Sequence, residues 1–346
     1  MLQIENMPEK TFENYQEASA FFNARTYSDT AIKAHDCVLE YDGFKVGSDK
    51  YDMTDTFIDA LFGITKLPRA NEKVLPTENV INDINTLLHA GTADNEYLLR
   101  TLDGKAYSLF TIKENKIKLP LNHKEYLDGV LQSIKPDDIH HISLSKKFLR
   151  LSTYDKGITY DVNVNDAHHF GIDFVNGETY RGFPLTAASM IYRLICSNGA
   201  VAPFENKMVK FKVAEDLIAL KQKFIEIASN LVIDNDFTIE RLQKMNEIAL
   251  NEGLVELVAS GTRFMPLTAR EAIFSPFYEQ DIEGNLSKNF KDGSCNGLTL
   301  YDIYNRVTSE AHMNPAVGPI HRYKAEVFAG TLINENNKHV QKLIKN

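Results

Sequence analysis

The chain has 346 residues, of which 43% are hydrophobic and 25% are charged, and this composition excludes a disordered or a collagen-like chain. The 38 Lys and Arg residues are outnumbered by 47 Asp and Glu residues, which gives a formal net charge of −9. This balance excludes a protein that is basic overall, as many nucleic-acid-binding proteins are, but it leaves room for a local basic groove.

Two helices are predicted in the first third of the chain. Thr54 has the chemistry of an N-cap, and apolar residues follow it at helical spacing up to Gly63. A second helix is predicted over 78–89, where Val80, Ile84 and Leu88 recur on one face.

The middle of the chain has the pattern of an antiparallel sheet. Residues 97–102 and 105–112 flank Asp103-Gly104, a pair that supplies the positive φ angles of a tight hairpin turn. Further strands are predicted over 141–153 and 158–164.

A second hairpin is predicted at Asn176-Gly177, with strands over 170–175 and 178–181. The apolar run that follows, residues 186–196, is predicted to be a helix ended by Asn198-Gly199.

Helices dominate the last third of the chain. The periodicity predicts them over 213–231, 238–250 and 299–312, and the polar, Gly- and Asn-rich segment 278–297 is predicted to be an exposed loop. We therefore predict an α+β fold, with an antiparallel β-meander in the middle of the chain, helices packed on it and a helix-rich C-terminal third.

The length fits two domains or one large domain. We divide the chain into an N-terminal mixed segment over 1–95, a main α+β domain over 96–335 and a C-terminal tail over 336–346. The N-terminal segment is either separate or part of the main domain.

No catalytic constellation is visible in the sequence, and we predict no cofactor. Phosphate-binding GxxxxGK[ST], dinucleotide-binding GxGxxG, HExxH and GxSxG sequences are absent. Residues 161–166 resemble the start of a calcium loop, but Asp166 stands where that loop needs glycine. A cross-strand metal site joining His141 and His169, with Asp166 nearby, is the basis of one alternative, a metal-dependent enzyme.

The cysteines and the start of the chain indicate a cytoplasmic protein. Cys37, Cys196 and Cys295 are far apart and odd in number, which is typical of a reducing compartment. The first residues lack the basic and apolar regions of a signal peptide, and no apolar run approaches the roughly 20 residues that span a bilayer.

Basic residues are concentrated at three places in the middle of the chain: a predicted strand pair, the second hairpin, and a β-like run before the helix over 213–231. If their side chains share one open sheet face, they form a stripe that can follow a phosphate backbone. The alternative is a set of solvated side chains on exposed strands. The predicted nucleic-acid-binding residues are Lys146, Lys147, Arg150, Arg181, Lys207, Lys210 and Lys212.

Two stretches carry a family resemblance. Residues 170–203 contain RLICSNG at 193–199, and residues 300–330 contain YNRVTSE at 304–310. Together they resemble the phage/plasmid-like proteins that share one domain of unknown function, over about residues 140–335. Ser309 interrupts the Thr-Glu pair of that family. The resemblance implies a phage or mobile-element protein made in a bacterial host cell, and it implies no particular activity.

These observations lead to a leading hypothesis and an alternative. The first is a non-enzymatic, phage-type protein of DNA metabolism that binds or anneals single-stranded DNA as a homo-oligomer, because one subunit covers few nucleotides. The alternative is a virion, assembly or host-interaction protein with no role in nucleic-acid binding.

Overall fold

The computed structural model describes residues 2–90, 96–112, 119–132, 134–154, 159–162, 166–179, 183–193, 200–211, 217–230, 235–280, 286–333 and 338–344. These residues confirm the predicted α+β class, with antiparallel sheets and a helical C-terminal part. No helix in the described part of the chain is long and apolar enough to cross a membrane.

The elements are named in chain order. The strands are β1 (Lys10–Phe12), β2 (Tyr27–Lys33), β3 (Cys37–Glu40), β4 (Gly43–Val46), β5 (Asp49–Tyr51), β6 (Glu96–Leu102), β7 (Lys105–Ile112), β8 (Ile139–Leu144), β9 (Leu149–Tyr154), β10 (Tyr160–Asp161), β11 (Ala167–Asn176), β12 (Thr186–Arg193), β13 (Ala200–Lys210), β14 (Tyr278–Gln280) and β15 (Leu286–Phe290).

The helices are α1 (Tyr15–Asn23), α2 (Asp55–Ile64), α3 (Asn71–Val74), α4 (Thr77–His89), α5 (His123–Leu131), α6 (Leu217–Asn230), α7 (Asn235–Glu247), α8 (Glu252–Gly261), α9 (Leu267–Phe274), α10 (Leu300–Met313), α11 (Pro319–Ile333) and α12 (Lys338–Ile344). The helices predicted over 213–231, 238–250 and 299–312 correspond to α6, α7 and α10.

The chain divides into two compact units, and each is built from segments that are distant in sequence. Unit 1 comprises Met1–Leu151, Val175–Thr186 and Lys210–Ser229, and unit 2 comprises Ser152–Phe174, Ala187–Val209 and Asn230–Asn346. The predicted segments 1–95, 96–335 and 336–346 stay a prediction.

Unit 1 contains two three-stranded sheets, ordered β2-β6-β7 and β3-β4-β5. The predicted hairpin is confirmed: β6 pairs with β7, and φ is 53° at Asp103 and 78° at Gly104, as the tight turn requires. Helix α2 packs on β7 and α4 packs on β3, and their apolar faces meet in one core.

The two predicted N-terminal helices are also confirmed. The side-chain oxygen of Thr54 accepts a hydrogen bond from the backbone N–H of Phe57 at 3.2 Å, which caps α2. In α4, Val80, Ile84 and Leu88 are buried at every fourth position, as the periodicity predicted.

The largest sheet has seven strands in the order β1-β8-β9-β11-β12-β13, with β10 paired to β11. Residues 141–153, predicted as one strand, form β8 and β9 with a tight connection in which the backbone N–H of Ser145 donates to the carbonyl of Phe148 at 2.9 Å. Strands β9, β11, β12 and β13 each contribute residues to both units.

The helix predicted over 186–196 is wrong, because residues 186–193 form strand β12. β12 lies between β11 and β13 in the sheet, and residues 186–191 are all buried. A strand buried on both faces shows a continuous apolar run, which periodicity cannot distinguish from a buried helix. The predicted helix end at Asn198-Gly199 lies outside the described residues.

The hairpin predicted at Asn176-Gly177 is also wrong in its pairing. Strand β11 continues to Asn176, and its neighbours in the sheet order are β9 and β12, whereas Glu178 lies in a turn. The glycine has a different role, because a Cβ atom at Gly177 would lie 2.0 Å from the carbonyl oxygen of Phe183. The two backbones approach closely here, and only glycine leaves room.

Unit 2 is organised around the C-terminal helices. Helix α10 packs against α7, α9 and α11, and it begins with a capping box in which Thr299 and Asp302 exchange hydrogen bonds. The loop predicted over 278–297 is wrong in part, because β14 and β15 pair there as an antiparallel hairpin.

Replacing Gly171 by alanine tests the close approach of β9 and β11. A Cβ atom there would lie 1.6 Å from the carbonyl oxygen of Thr153, a backbone atom that cannot move without breaking the sheet. We expect Gly171→Ala to destabilise the protein by more than about 2 kcal/mol, measured by urea unfolding. The matched control is Gly318→Ala in the same unit, where no atom lies within 4 Å. Equal unfolding midpoints for both variants would contradict the packing of these strands.

Candidate functional site

Of the predicted basic residues, Lys146, Lys147 and Lys210 are exposed in the described part of the chain, whereas Arg150 is buried. Lys146 is exposed, but its Nζ lies 3.3 Å from the carboxylate of Asp55 and 3.3 Å from the amide oxygen of Asn6. Arg181, Lys212 and the side chain of Lys207 lie outside the described residues.

The side chain of Arg150 is buried, contrary to the expectation of an exposed basic strand. The side chain belongs to β9 and is only 3% exposed, and its neighbours Leu149 and Leu151 are also buried. Because β9 is buried on both faces, alternation along the strand does not bring this arginine to solvent. Within the described residues, Lys147 and Lys210 remain as exposed cations of the predicted set, and neither forms an ion pair there.

A cavity of about 800 Å³ in unit 2 is the best candidate for a binding site. Helix α8, helix α9 and the β14–β15 hairpin form its walls. This volume is in the range of pockets that hold small ligands, roughly 300 to 1,000 Å³. Its polar side chains include Glu256, Ser260, Arg263, Arg270, Tyr278 and Ser287.

Arg263 and Arg270 give this cavity its cationic character. Arg263 is exposed in the turn after α8, and Arg270 is half-buried on α9. Neither side chain makes a hydrogen bond or an ion pair with another described residue, and Nε of Arg270 is a buried donor with no acceptor among them. An unused buried donor is unfavourable by about 1–3 kcal/mol unless water or a ligand supplies the acceptor.

Tyr278 provides a fixed aromatic wall beside the arginines. Its ring centroid lies 4.4 Å from that of Phe290 and 6.4 Å from that of Phe274. Burial, and then the carboxylate of Glu256, raise the pKa of the Tyr278 phenol above its usual value. The hydroxyl therefore stays protonated near neutral pH and can donate a hydrogen bond.

The charged and polar side chains of the cavity wall define the kind of ligand that the cavity could hold. The described residues that line it include no histidine or cysteine that could serve as a general base or nucleophile. Two guanidinium groups, hydroxyl donors and an aromatic wall instead match a ligand that carries phosphate or carboxylate groups.

Sequence reasoning missed both arginines of the cavity. Arg263 lies in the turn between α8 and α9, and Arg270 lies on α9, so no helical or strand spacing relates them. One signal was present: residues 261–270 contain Arg263 and Arg270 and no acidic residue, in a chain with a net charge of −9.

A second polar cluster lies in unit 1, around the buried carboxylate of Glu178. The carboxylate is 1% exposed and accepts hydrogen bonds from the backbone N–H of His123 at 2.7 Å and from the hydroxyl of Tyr27 at 3.3 Å. Tyr107 also donates to it, and burial raises the pKa of both phenols well above their usual value. The tyrosines are therefore neutral donors.

Arg100 closes this cluster on one side. It is 1% exposed and forms a bidentate pair with Asp29, with Nε–Oδ1 and Nη2–Oδ2 distances of 2.9 and 2.8 Å. Its Nη1 donates to the carbonyl oxygens of Pro120 at 3.3 Å and Glu178 at 3.5 Å. Because these donors already have acceptors, we interpret the cluster as structural.

His123 is held as a neutral imidazole in the same cluster. The side-chain amide of Asn176 donates to Nδ1 at 3.3 Å, which leaves the proton on Nε2, 3.5 Å from Oε1 of Glu178. Burial lowers the pKa of His123, and the nearby carboxylate opposes this effect only in part.

The residues of the hypothetical metal site have other partners. Tyr301 donates to the carboxylate of Asp166 at 2.5 Å, and the ring of His169 stacks on Tyr154 with centroids 4.9 Å apart. No group of three or more His, Cys, Asp or Glu residues in the described part of the chain is arranged to hold a metal ion.

Comparison with models of protein families, with curated proteins and with solved structures finds no match to the chain. The resemblance to the phage/plasmid-like family therefore stays a prediction.

The buried neutral state of His123 makes a prediction about pH. The pKa of His123 is lowered in the folded protein. Below about pH 6.5 the unfolded chain therefore binds a proton at this histidine that the folded protein does not bind. Stability is therefore lost as pH falls, by at most about 1.4 kcal/mol per pH unit from this group. We expect His123→Gln to reduce the fall in urea midpoint between pH 7.5 and 5.5.

The control for this experiment is His35→Gln, which removes an exposed histidine of unit 1 away from the buried cluster. An equal pH dependence in wild type and His123→Gln would contradict the neutral, buried imidazole.

Proposed function

We propose that the protein binds single-stranded nucleic acid without catalysing a reaction, and that the cavity of Arg263 and Arg270 contacts its phosphates. The observation that carries this proposal is the pair of arginines with no counter-ion among the described residues, on the wall of a cavity large enough for a nucleotide. An acidic protein that leaves two neighbouring arginines unneutralised is suited to an anionic ligand.

The chemistry of the cavity wall favours nucleic acid over a simple inorganic anion. Proteins that hold single strands combine cations for the phosphates with aromatic and apolar surfaces for the bases and sugars. Here Tyr278, Phe274 and Leu286 line the same cavity as the arginines. A single-stranded segment offers both parts of this pattern, whereas the bases of a duplex are stacked inside it.

The sequence hypothesis of a phage-type DNA-metabolism protein is consistent with this proposal. Lys147 and Lys210 of unit 1 are exposed, and annealing would require several subunits. The alternative, a virion, assembly or host-interaction protein, predicts no binding of oligonucleotides. Fluorescence anisotropy with a labelled single-stranded oligonucleotide separates the two functions.

Removing the two arginines tests the proposal directly. We expect Arg263→Gln/Arg270→Gln to weaken binding of single-stranded oligonucleotides about equally for all sequences. The slope of log K against log salt should become shallower by roughly 0.7 for each lost phosphate contact. The measurement is an anisotropy titration at several salt concentrations.

The matched control is Arg306→Gln, which removes one exposed arginine from α10 of the same unit. Circular dichroism and thermal melting check that both variants fold as wild type. Wild-type affinity and salt slope in the double variant would remove the cavity from the binding site, and absence of binding by the wild type would remove the function.

The carboxylate of Glu256 provides a test of opposite sign. It lines the same cavity and is exposed, so its negative charge repels a bound phosphate through partly screened interactions. We expect Glu256→Gln to tighten oligonucleotide binding by about two- to fivefold at low salt, since exposed charge pairs contribute up to about 1 kcal/mol. Weaker binding would show that this carboxylate contacts the ligand as an acceptor.

A further inference from the structure

We infer that the cavity of Arg263, Arg270 and Tyr278 takes the terminal phosphate of a single strand, so that the protein recognises a strand end. This inference rests on the proposed function and makes it more specific. It distinguishes a phosphate monoester at a chain end from the phosphodiesters that connect nucleotides.

The size of the site is consistent with a strand end. Three elements, α8, α9 and the β14–β15 hairpin, contribute the side chains that line an open cavity of about 800 Å³. A protein that tracks a backbone uses a long groove, with site sizes of about 4 to 16 nucleotides per domain. A cavity of this volume has room for one or two nucleotides, which is enough for the end of a strand.

The number of hydrogen-bond donors also favours a terminal phosphate. Each guanidinium presents a fork that can grip two oxygens, and both forks of Arg263 and Arg270 are unused within the described residues. A terminal phosphate has three unesterified oxygens and a charge close to −2 at neutral pH, whereas a phosphodiester has two such oxygens and a charge of −1. Two arginine forks therefore match the terminal group better.

The remaining wall of the cavity is partly apolar and partly polar. Leu257, Phe274 and Leu286 form an apolar part, and Ser260, Ser287 and Tyr278 carry hydroxyls. The terminal sugar and base can contact the apolar part, while the hydroxyls of Ser260 and Tyr278 donate to phosphate oxygens. The exposed carboxylate of Glu256 is the one acidic group among the described residues of the wall, so the arginines outnumber it two to one.

The experiment measures how tightly the full chain binds three matched oligonucleotides. Three 12-nucleotide single strands of one sequence carry a 5′-phosphate, a 3′-phosphate or hydroxyls at both ends, with the dye at an internal position. We expect one phosphorylated strand to bind about tenfold tighter than the hydroxyl strand, which is the effect of one added charge-assisted hydrogen bond. This preference should disappear in Arg263→Gln/Arg270→Gln and persist in the control Arg306→Gln.

The outcomes separate the inference from the function on which it rests. Equal binding of all three strands, weakened by the double variant, overturns the strand-end site and leaves phosphodiester binding intact. A preference that persists in the double variant places the end-binding site elsewhere and also overturns it. If no strand binds, both proposals fail, and a titration with a nucleoside monophosphate then shows whether the cavity takes a free small-molecule phosphate instead.

Discussion

The carboxylate of Glu178 is the group on which the arrangement of unit 1 depends. A buried carboxylate is strongly unfavourable unless donors surround it, and its donors here come from β2, β7 and the start of α5. Tyr27 and Glu178 are 151 positions apart in the chain. Unit 1 therefore includes residues 175–186 together with the first 151 residues of the chain, and the contacts around this carboxylate join segments that are far apart in sequence.

The elements that could be predicted from the sequence are those specified by local chemistry. Asp103-Gly104 determines a hairpin turn because these two residues adopt the positive φ angles that the tight turn requires. The cap that Thr54 provides for α2 and the four-residue spacing of buried apolar residues in α4 likewise involve only residues within one or two helical turns. Helix α10, in the last third of the chain, was predictable for the same reason, since its N-cap and its apolar face are specified by its own sequence.

The errors concern residues whose environment is set by distant parts of the chain. The apolar run of β12 is a strand only because β11 and β13 flank it. Arg150 is buried because both faces of β9 are covered, and no property of its neighbours in sequence reveals this. Arg263 and Arg270 share a cavity with Tyr278 because α8, α9 and the β14–β15 hairpin line it together. No regular spacing in the sequence relates these three residues. The candidate site therefore could not be predicted, although the lack of acidic residues over 261–270 was visible.

The overall charge of −9 is a poor guide to local electrostatics in this protein. Several lysines are neutralised by carboxylates at the surface: Lys50 contacts Glu40 and Asp42, and Lys146 contacts Asp55. Such exposed pairs contribute little to stability, but they remove the cation from the set that can attract a phosphate. What matters for anion binding is thus the number of cations without a local counter-ion.

Arg100 and Arg270 illustrate the difference between a structural arginine and one that is free to bind. Nε, Nη1 and Nη2 of Arg100 have acceptors within the fold, so a ligand there would have to break existing bonds. Arg270 instead has a buried Nε without an acceptor among the described residues, and it faces a cavity that water or a ligand can enter. Because a buried donor gains most when its missing acceptor is charged, the gain is largest for an anion. The same guanidinium chemistry therefore stabilises the fold in unit 1 and is left available for binding in unit 2.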